Sequence, residues 1–147
     1  MNAQQNPYLV PVRYGTGLSV LWLVAGGLFL LLGLIALAAG AFSLHLILGV
    51  LFTLFGVLSF FKPYAVYDAA TGALYLYSPL GFQVRAYGAP KGERVYFDPA
   101  KSKVVRAMPN GAQRKVSMVG VNREDLARLI QALYAANQAP TGPVPGA

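Results

Sequence analysis

With 147 residues, the chain has room for one compact domain at most beyond its apolar stretches. It contains no cysteine, which excludes a disulfide framework, thiol catalysis and cysteine-based metal sites. A formal net charge of +7 points toward anionic partners, and a single histidine leaves little for imidazole chemistry.

The first 17 residues carry Pro7, Pro11 and one cation, Arg13, and read as a flexible cytoplasmic lead-in. From Leu18 to Phe61 there is no Lys, Arg, Asp or Glu, and roughly 18 to 25 such residues suffice to cross a bilayer. Gly40, Ser43 and His45 interrupt this run, leaving Leu18–Ala39 and Leu44–Phe61 as two spans. At 1.5 Å per residue they reach about 33 Å and about 27 Å, against a hydrocarbon core of about 30 Å. The short link predicts an antiparallel transmembrane hairpin. Ala36, Leu37 and Ala38 resemble a signal-peptide cleavage site, but the preceding run exceeds the usual apolar region of about 7–15 residues.

Small residues recur every seven positions, as Ser19, Gly26, Gly33 and Gly40 in the first span and Gly49 and Gly56 in the second. A seven-residue period keeps one stripe on one partner in a left-handed crossing, and glycine lets two backbones approach closely. All six are therefore expected in the seam between the helices. Ala36 and Gly40 form a small-xxx-small pair for the same seam or for a homo-oligomer contact. Arg13 and Lys62 flank the hairpin and its link is uncharged. The positive-inside rule then predicts an inner-membrane protein with both termini cytoplasmic.

After Pro63 the pattern alternates with period two. Ala65–Asp68, Ala73–Ser78, Phe82–Tyr87, Arg94–Asp98, Lys103–Met108 and Gln113–Val119 read as six strands, separated by turn residues. Asn110-Gly111 is the strongest hairpin signal. If the loop is two residues, Arg106 opposes Lys115; if Pro109 belongs to a three-residue loop, it opposes Arg114. A closing helix follows, with Asn122 as N-cap, Glu124 and Asp125 in the first turn, and Leu126, Leu129, Ile130 and Leu133 on one face. The expected fold is thus a helical membrane hairpin followed by a small α+β domain over 62–137, and a disordered, proline-rich tail over 138–147.

This layout resembles the bacterial membrane proteins that carry a pleckstrin-homology-like (PH-like) domain behind a two-helix hairpin. The resemblance rests on Tyr64 to Asp68 with the Thr71-Gly72 turn, on the Asn110-Gly111 hairpin, and on the helix from Asn122 to Leu133. It implies a strongly bent antiparallel sheet closed by the C-terminal helix, here of six strands where a full PH fold has seven.

No catalytic constellation is legible. His45 lies at the outer mouth of the hairpin, and neither a G-x-S-x-G elbow nor a phosphate-binding G-x-x-x-x-G-K-[ST] loop occurs. No catalytic residue, metal ligand or cofactor is expected, and no nucleic-acid recognition motif appears. From Lys62 onward there are eleven Lys and Arg against five acids. Lys101, Lys103, Arg106, Arg114 and Lys115 gather around the Asn110-Gly111 turn, where Arg106 meets another cation in either register. An anion between them would relieve that pairing, which makes this hairpin the candidate contact for anionic lipid at the membrane surface. Edge protection by exposed Lys and Arg is the plainer reading. Tyr64, Tyr67, Tyr75, Tyr77, Tyr87 and Tyr96 are expected to pack in the half-buried sheet. The functional expectation is a non-enzymatic membrane protein presenting a binding module to lipid or a protein partner. An accessory, oligomerising subunit of a transport or biogenesis assembly is the alternative.

Overall fold

The computed structural model describes residues 8–138; all but the first residue of the expected disordered tail lies outside them. The chain runs β1 (Leu9–Arg13), α1 (Thr16–Ala38), α2 (Leu44–Phe61), β2 (Pro63–Asp68), β3 (Ala73–Tyr77), β4 (Gln83–Tyr87), β5 (Arg94–Asp98), β6 (Lys103–Ala107), β7 (Gln113–Lys115) and α3 (Arg123–Gln138). One turn of 3-10 helix, Ala89–Lys91, joins β4 to β5.

Of the expected flexible lead-in, residues 1–7 lie outside the described residues, and the part that is described contains a strand, Leu9–Arg13. β1 pairs antiparallel with β2, Leu9 facing Asp68 and Val12 facing Ala65, and Val12 is completely buried. Pro11 is compatible with this because β1 is the outermost strand of its sheet, where a missing N–H breaks no ladder. The helical hairpin is therefore an insertion between two paired strands. Helix α1 starts at Thr16, two residues earlier than the apolar run suggests, and ends at Ala38.

The strands form two antiparallel sheets, β1-β2-β3-β4 and β5-β6-β7, rather than one sheet of six. The chain passes from one sheet to the other just after β4. Gly88 has a φ of +87°, and a Cβ there would lie 2.2 Å from the carbonyl oxygen of Gly72, so this corner requires glycine. Helix α3 closes the domain. Asn122 caps it, its Oδ1 accepting from the backbone of Glu124 at 2.9 Å and Asp125 at 3.3 Å. Leu129 and Leu133 of α3 join Val12, Tyr67, Leu74, Val95, Val104 and Val116 in a single core drawn from both sheets. Leu126 packs at its margin.

Both long helices are long and apolar enough to cross a membrane. Few of their residues are covered by protein; Val24, Leu31, Ile35 and Val50 are exposed.

Candidate functional site

The seam between α1 and α2 is built from five of the six expected small residues, and Ser59 joins them. Ser19, Gly26, Gly33, Gly49, Gly56 and Ser59 are all buried. A Cβ on Gly26 would sit 2.6 Å from the backbone nitrogen of Thr53, one on Gly33 2.6 Å from that of Leu46, and one on Gly49 2.6 Å from that of Leu30. At each of these layers one helix backbone lies against the other, a spacing only glycine permits. Near the strand end of the hairpin, the Ser59 hydroxyl lies 2.7 Å from Ser19 Oγ and from the carbonyl oxygen of Gly56. Gly40 is the exception. It is exposed, with open space where a Cβ would stand and a φ of +77°, and it serves the turn after α1 instead of the seam. In that turn its N–H donates to Leu37 at 2.9 Å, and the N–H of Ala41 donates to Ala36 at 3.0 Å. His45 stands beside it, Nδ1 2.7 Å from Ser43 Oγ.

At the other end of the hairpin the helices are gripped by the domain. The backbone N–H of Gly15 donates to Gly120 at 2.7 Å, and that of Asn122 to Arg13 at 2.9 Å. Between these two bonds, Tyr14 bridges to Val121. Asp125, buried, accepts from both the backbone N–H and Nε of Arg13 at 3.0 Å, and pairs with Arg128. Burial works against the Asp125 charge. The hydrogen bonds from Arg13 and the charges of Arg13 and Arg128 together outweigh it, holding the carboxyl below its ordinary range. Tyr14 donates from its hydroxyl to the carbonyl of Tyr77 at 3.0 Å, and its ring meets that of Tyr64 edge-on at 5.3 Å. Burial, followed by the neighbouring Tyr64, pushes the Tyr14 phenol up to about 12.

The basic hairpin takes the three-residue form. Met108 and Ala112 close the loop, the N–H of Met108 donating to Ala112 at 2.9 Å, and Arg106 faces Arg114. The expected clash is resolved from inside the protein. Arg106 turns to Glu93, Nη1 to Oε1 2.9 Å, and lies over the Tyr87 ring with its guanidinium carbon 4.7 Å from the centroid. The Glu93 side chain is only 6% exposed and that of Arg106 19%. Arg106 therefore directs its charge to Glu93 within the domain. Lys101 pairs with Asp98 at 3.5 Å. Lys103, Arg114 and Lys115 are exposed; Arg114 and Lys115 lie on β7, the outer strand of its sheet. Arg106 and Pro109 belong to the corner where β4 ends: Arg106 covers Tyr87, and Pro109 lies 3.7 Å from the Cβ position of Gly92. The opposite end of β4 follows the β3–β4 turn, where the Cβ position of Gly81 lies 3.6 Å from Lys62, the residue after α2.

Of the six tyrosines expected in the sheet, Tyr67 and Tyr87 are buried and the other four half-buried. Two open clefts are lined by described residues. One, of about 530 Å³, lies between Gly15–Leu18 and Gly120–Glu124. The other, of about 410 Å³, has Tyr96, Phe97 and Tyr134 along it and Arg94 and Asn137 at its rim. Neither brings together a nucleophile, a base and an oxyanion donor.

What these features define is a pair of membrane-length helices inserted into a small, sheet-rich domain. Comparison with protein-family models, curated proteins and solved structures yields no match for the chain.

Proposed function

We propose that this is a non-enzymatic inner-membrane protein that spans the bilayer twice and presents a PH-like binding module on the cytoplasmic side, for contact with an anionic partner. The pairing of β1 with β2 carries the reading. It brings the two ends of the helical hairpin into one sheet, so that α1 and α2 leave from and return to the same domain on the same face of a membrane. Arg13 and Lys62 stand at those two ends, which under the positive-inside rule favours the cytoplasm. A cleavage after Ala38 would remove β1 and with it Val12 from the core. The PH-like description gains support from β1, which supplies a seventh strand, and from α3, which closes the domain.

The contact surface is the exposed β7 edge with Arg114 and Lys115, together with Lys103. These cations lie in the three-stranded sheet whose hairpin tip adjoins the far end of β4, which favours an acidic protein segment over the lipid beneath the domain. The test uses the full chain in nanodiscs of neutral lipid, with polyglutamate as the probe. Binding should weaken with salt and fall at least severalfold in the Lys103→Ala, Arg114→Ala, Lys115→Ala variant. Equal binding by the variant would leave edge protection as the role of these residues. Reporter fusions at the two ends should both read cytoplasmic. The assembly-subunit alternative loses its main support, because the small-residue stripe faces inward within the hairpin and is not offered to another helix.

A further inference from the structure

The turn between β3 and β4 has the wrong chemistry for a solvated loop. Residues 78–82 read Ser, Pro, Leu, Gly, Phe; Leu80 is 41% exposed and Phe82 69% exposed. The turn is nonetheless well formed. The N–H of Ser78 donates to Phe82 and that of Gly81 to Ser78, both at 2.8 Å. Two apolar side chains are thus held outward on an ordered turn, where turn residues are ordinarily polar.

Its position explains the composition. Tyr77, the last residue of β3, accepts the hydroxyl of Tyr14, which lies two residues before α1. The Cβ position of Gly81 lies 3.6 Å from Cδ and Cε of Lys62, the residue directly after α2. The turn therefore stands level with the ends of both membrane helices. Val119 is 82% exposed and belongs to the same level, since the adjoining Gly120 packs on Leu18 of α1, 2.8 Å from its Cβ position to Leu18 Cδ2. Phe61, the last residue of α2 and the one before Lys62, is also exposed. Tyr14, Tyr64 and Lys62 stand at this level, the aromatic and snorkelling residues that mark a membrane–water boundary.

We propose that the β3–β4 turn, with Leu80 and Phe82, and the neighbouring Val119 form a third membrane contact that enters the interfacial layer of the bilayer. This fixes the tilt of the domain on the membrane. The occupant is lipid rather than protein because the patch stands level with the ends of both spans. The proposal rests on the spanning of α1 and α2 put forward above.

Because the chain has no cysteine, single nitroxide labels can be placed without removing native thiols. The full chain, reconstituted in phosphatidylcholine vesicles, is labelled at Leu80→Cys, Phe82→Cys or Val119→Cys. Leu31→Cys serves as a lipid-facing reference and Ala70→Cys, in the far β2–β3 turn, as an aqueous one. Collision rates with oxygen and with a water-soluble nickel chelate are then compared. The three test labels should resemble Leu31→Cys, with oxygen favoured over nickel, and Ala70→Cys should show the reverse. Test labels that behave like Ala70→Cys while Leu31→Cys reads as lipid would overturn the third contact alone. Low collision with both reagents would show that protein, such as a second copy, covers the patch, and would also overturn it. Nickel access at Leu31→Cys would overturn both this contact and the spanning of the helices.

Discussion

Val12 and Ala65 face each other in adjacent strands, both completely buried, although both membrane-length helices lie between them in the chain. Val12 reaches its place in the core only when the hairpin has brought its two ends together. Folding of the sheet and docking of α1 against α2 are thus linked through β1. Substituting Val12 with Asp places an unpaired carboxylate among Leu74, Leu129 and Leu133 and should destabilise the domain by several kcal/mol, about 3 or more. Thermal unfolding or limited proteolysis of the full chain in mild detergent measures this. A change within about 0.5 kcal/mol, as for an exposed position, would show that β1 is dispensable.

The seam sets a graded series. Gly33→Leu and Gly49→Leu force side chains into space now held by the facing backbone, and should loosen the hairpin most. Gly40→Ala meets no neighbour and carries only the strain of its positive φ, on the order of 1 kcal/mol. Leu31→Ala lies on the outward face and should matter least. Protease resistance of the hairpin should follow that order; equal loss at Gly40 and Gly33 would contradict the assignment of Gly40 to the turn.

Arg106 and Glu93 form a mostly buried pair, so removing one partner strands the other. Arg106→Ala should destabilise the domain by about 2–3 kcal/mol, because the Glu93 carboxylate then lacks its counter-ion. Adding Glu93→Gln should recover part of that loss. Arg114→Ala and Lys115→Ala, both exposed, should each stay within about 0.5 kcal/mol. Chemical denaturation of the four variants tests this; a stabilising Arg106→Ala would restore like-charge repulsion with Arg114 as the dominant effect.

The long apolar run made the helices plain, and the bounds of α2, β5 and the start of β7 coincide with the sequence reading. β1 was hidden by its own chemistry. Pro7 and Pro11 resemble linker punctuation, and only its outermost place in the sheet, a tertiary fact, makes Pro11 acceptable. The split into two sheets was hidden for a related reason, because alternation shows which residues face inward and not where the chain turns a corner. Gly88 marks that corner, and its need for glycine comes from the carbonyl of Gly72. The partner of Arg106 carried a faint signal. Counting back from Asp98 opposite Lys103 puts Val95 opposite Arg106 and Glu93 diagonal to it, but Glu93 also reads as an ordinary turn residue. Gly40 kept the heptad spacing by coincidence, since helix α1 ends before reaching it.

The last expectation concerns Asp125, whose buried carboxylate ties β1 to α3 through Arg13 and holds Arg128. Its folded pKa is lowered from the ordinary 3.8, so its contribution is complete above the unfolded value and disappears as pH falls through the lowered one. Acid should therefore weaken the full chain in the window below about pH 4. Asp125→Asn can still accept one hydrogen bond from the Arg13 backbone but offers no charge to either guanidinium. It should cost about 2–3 kcal/mol at neutral pH and flatten stability across that acid window. Arg128→Ala should cost less, since Arg13 still neutralises the carboxylate, while Arg13→Ala, which removes most of what lowers the folded value, should shrink the acid loss and confine it close to the unfolded value. Unfolding midpoints in detergent, measured from pH 7 down to pH 3, give all three comparisons. An Asp125→Asn protein with the wild-type acid profile would place the pH-sensitive clamp elsewhere than at the junction of β1 and α3.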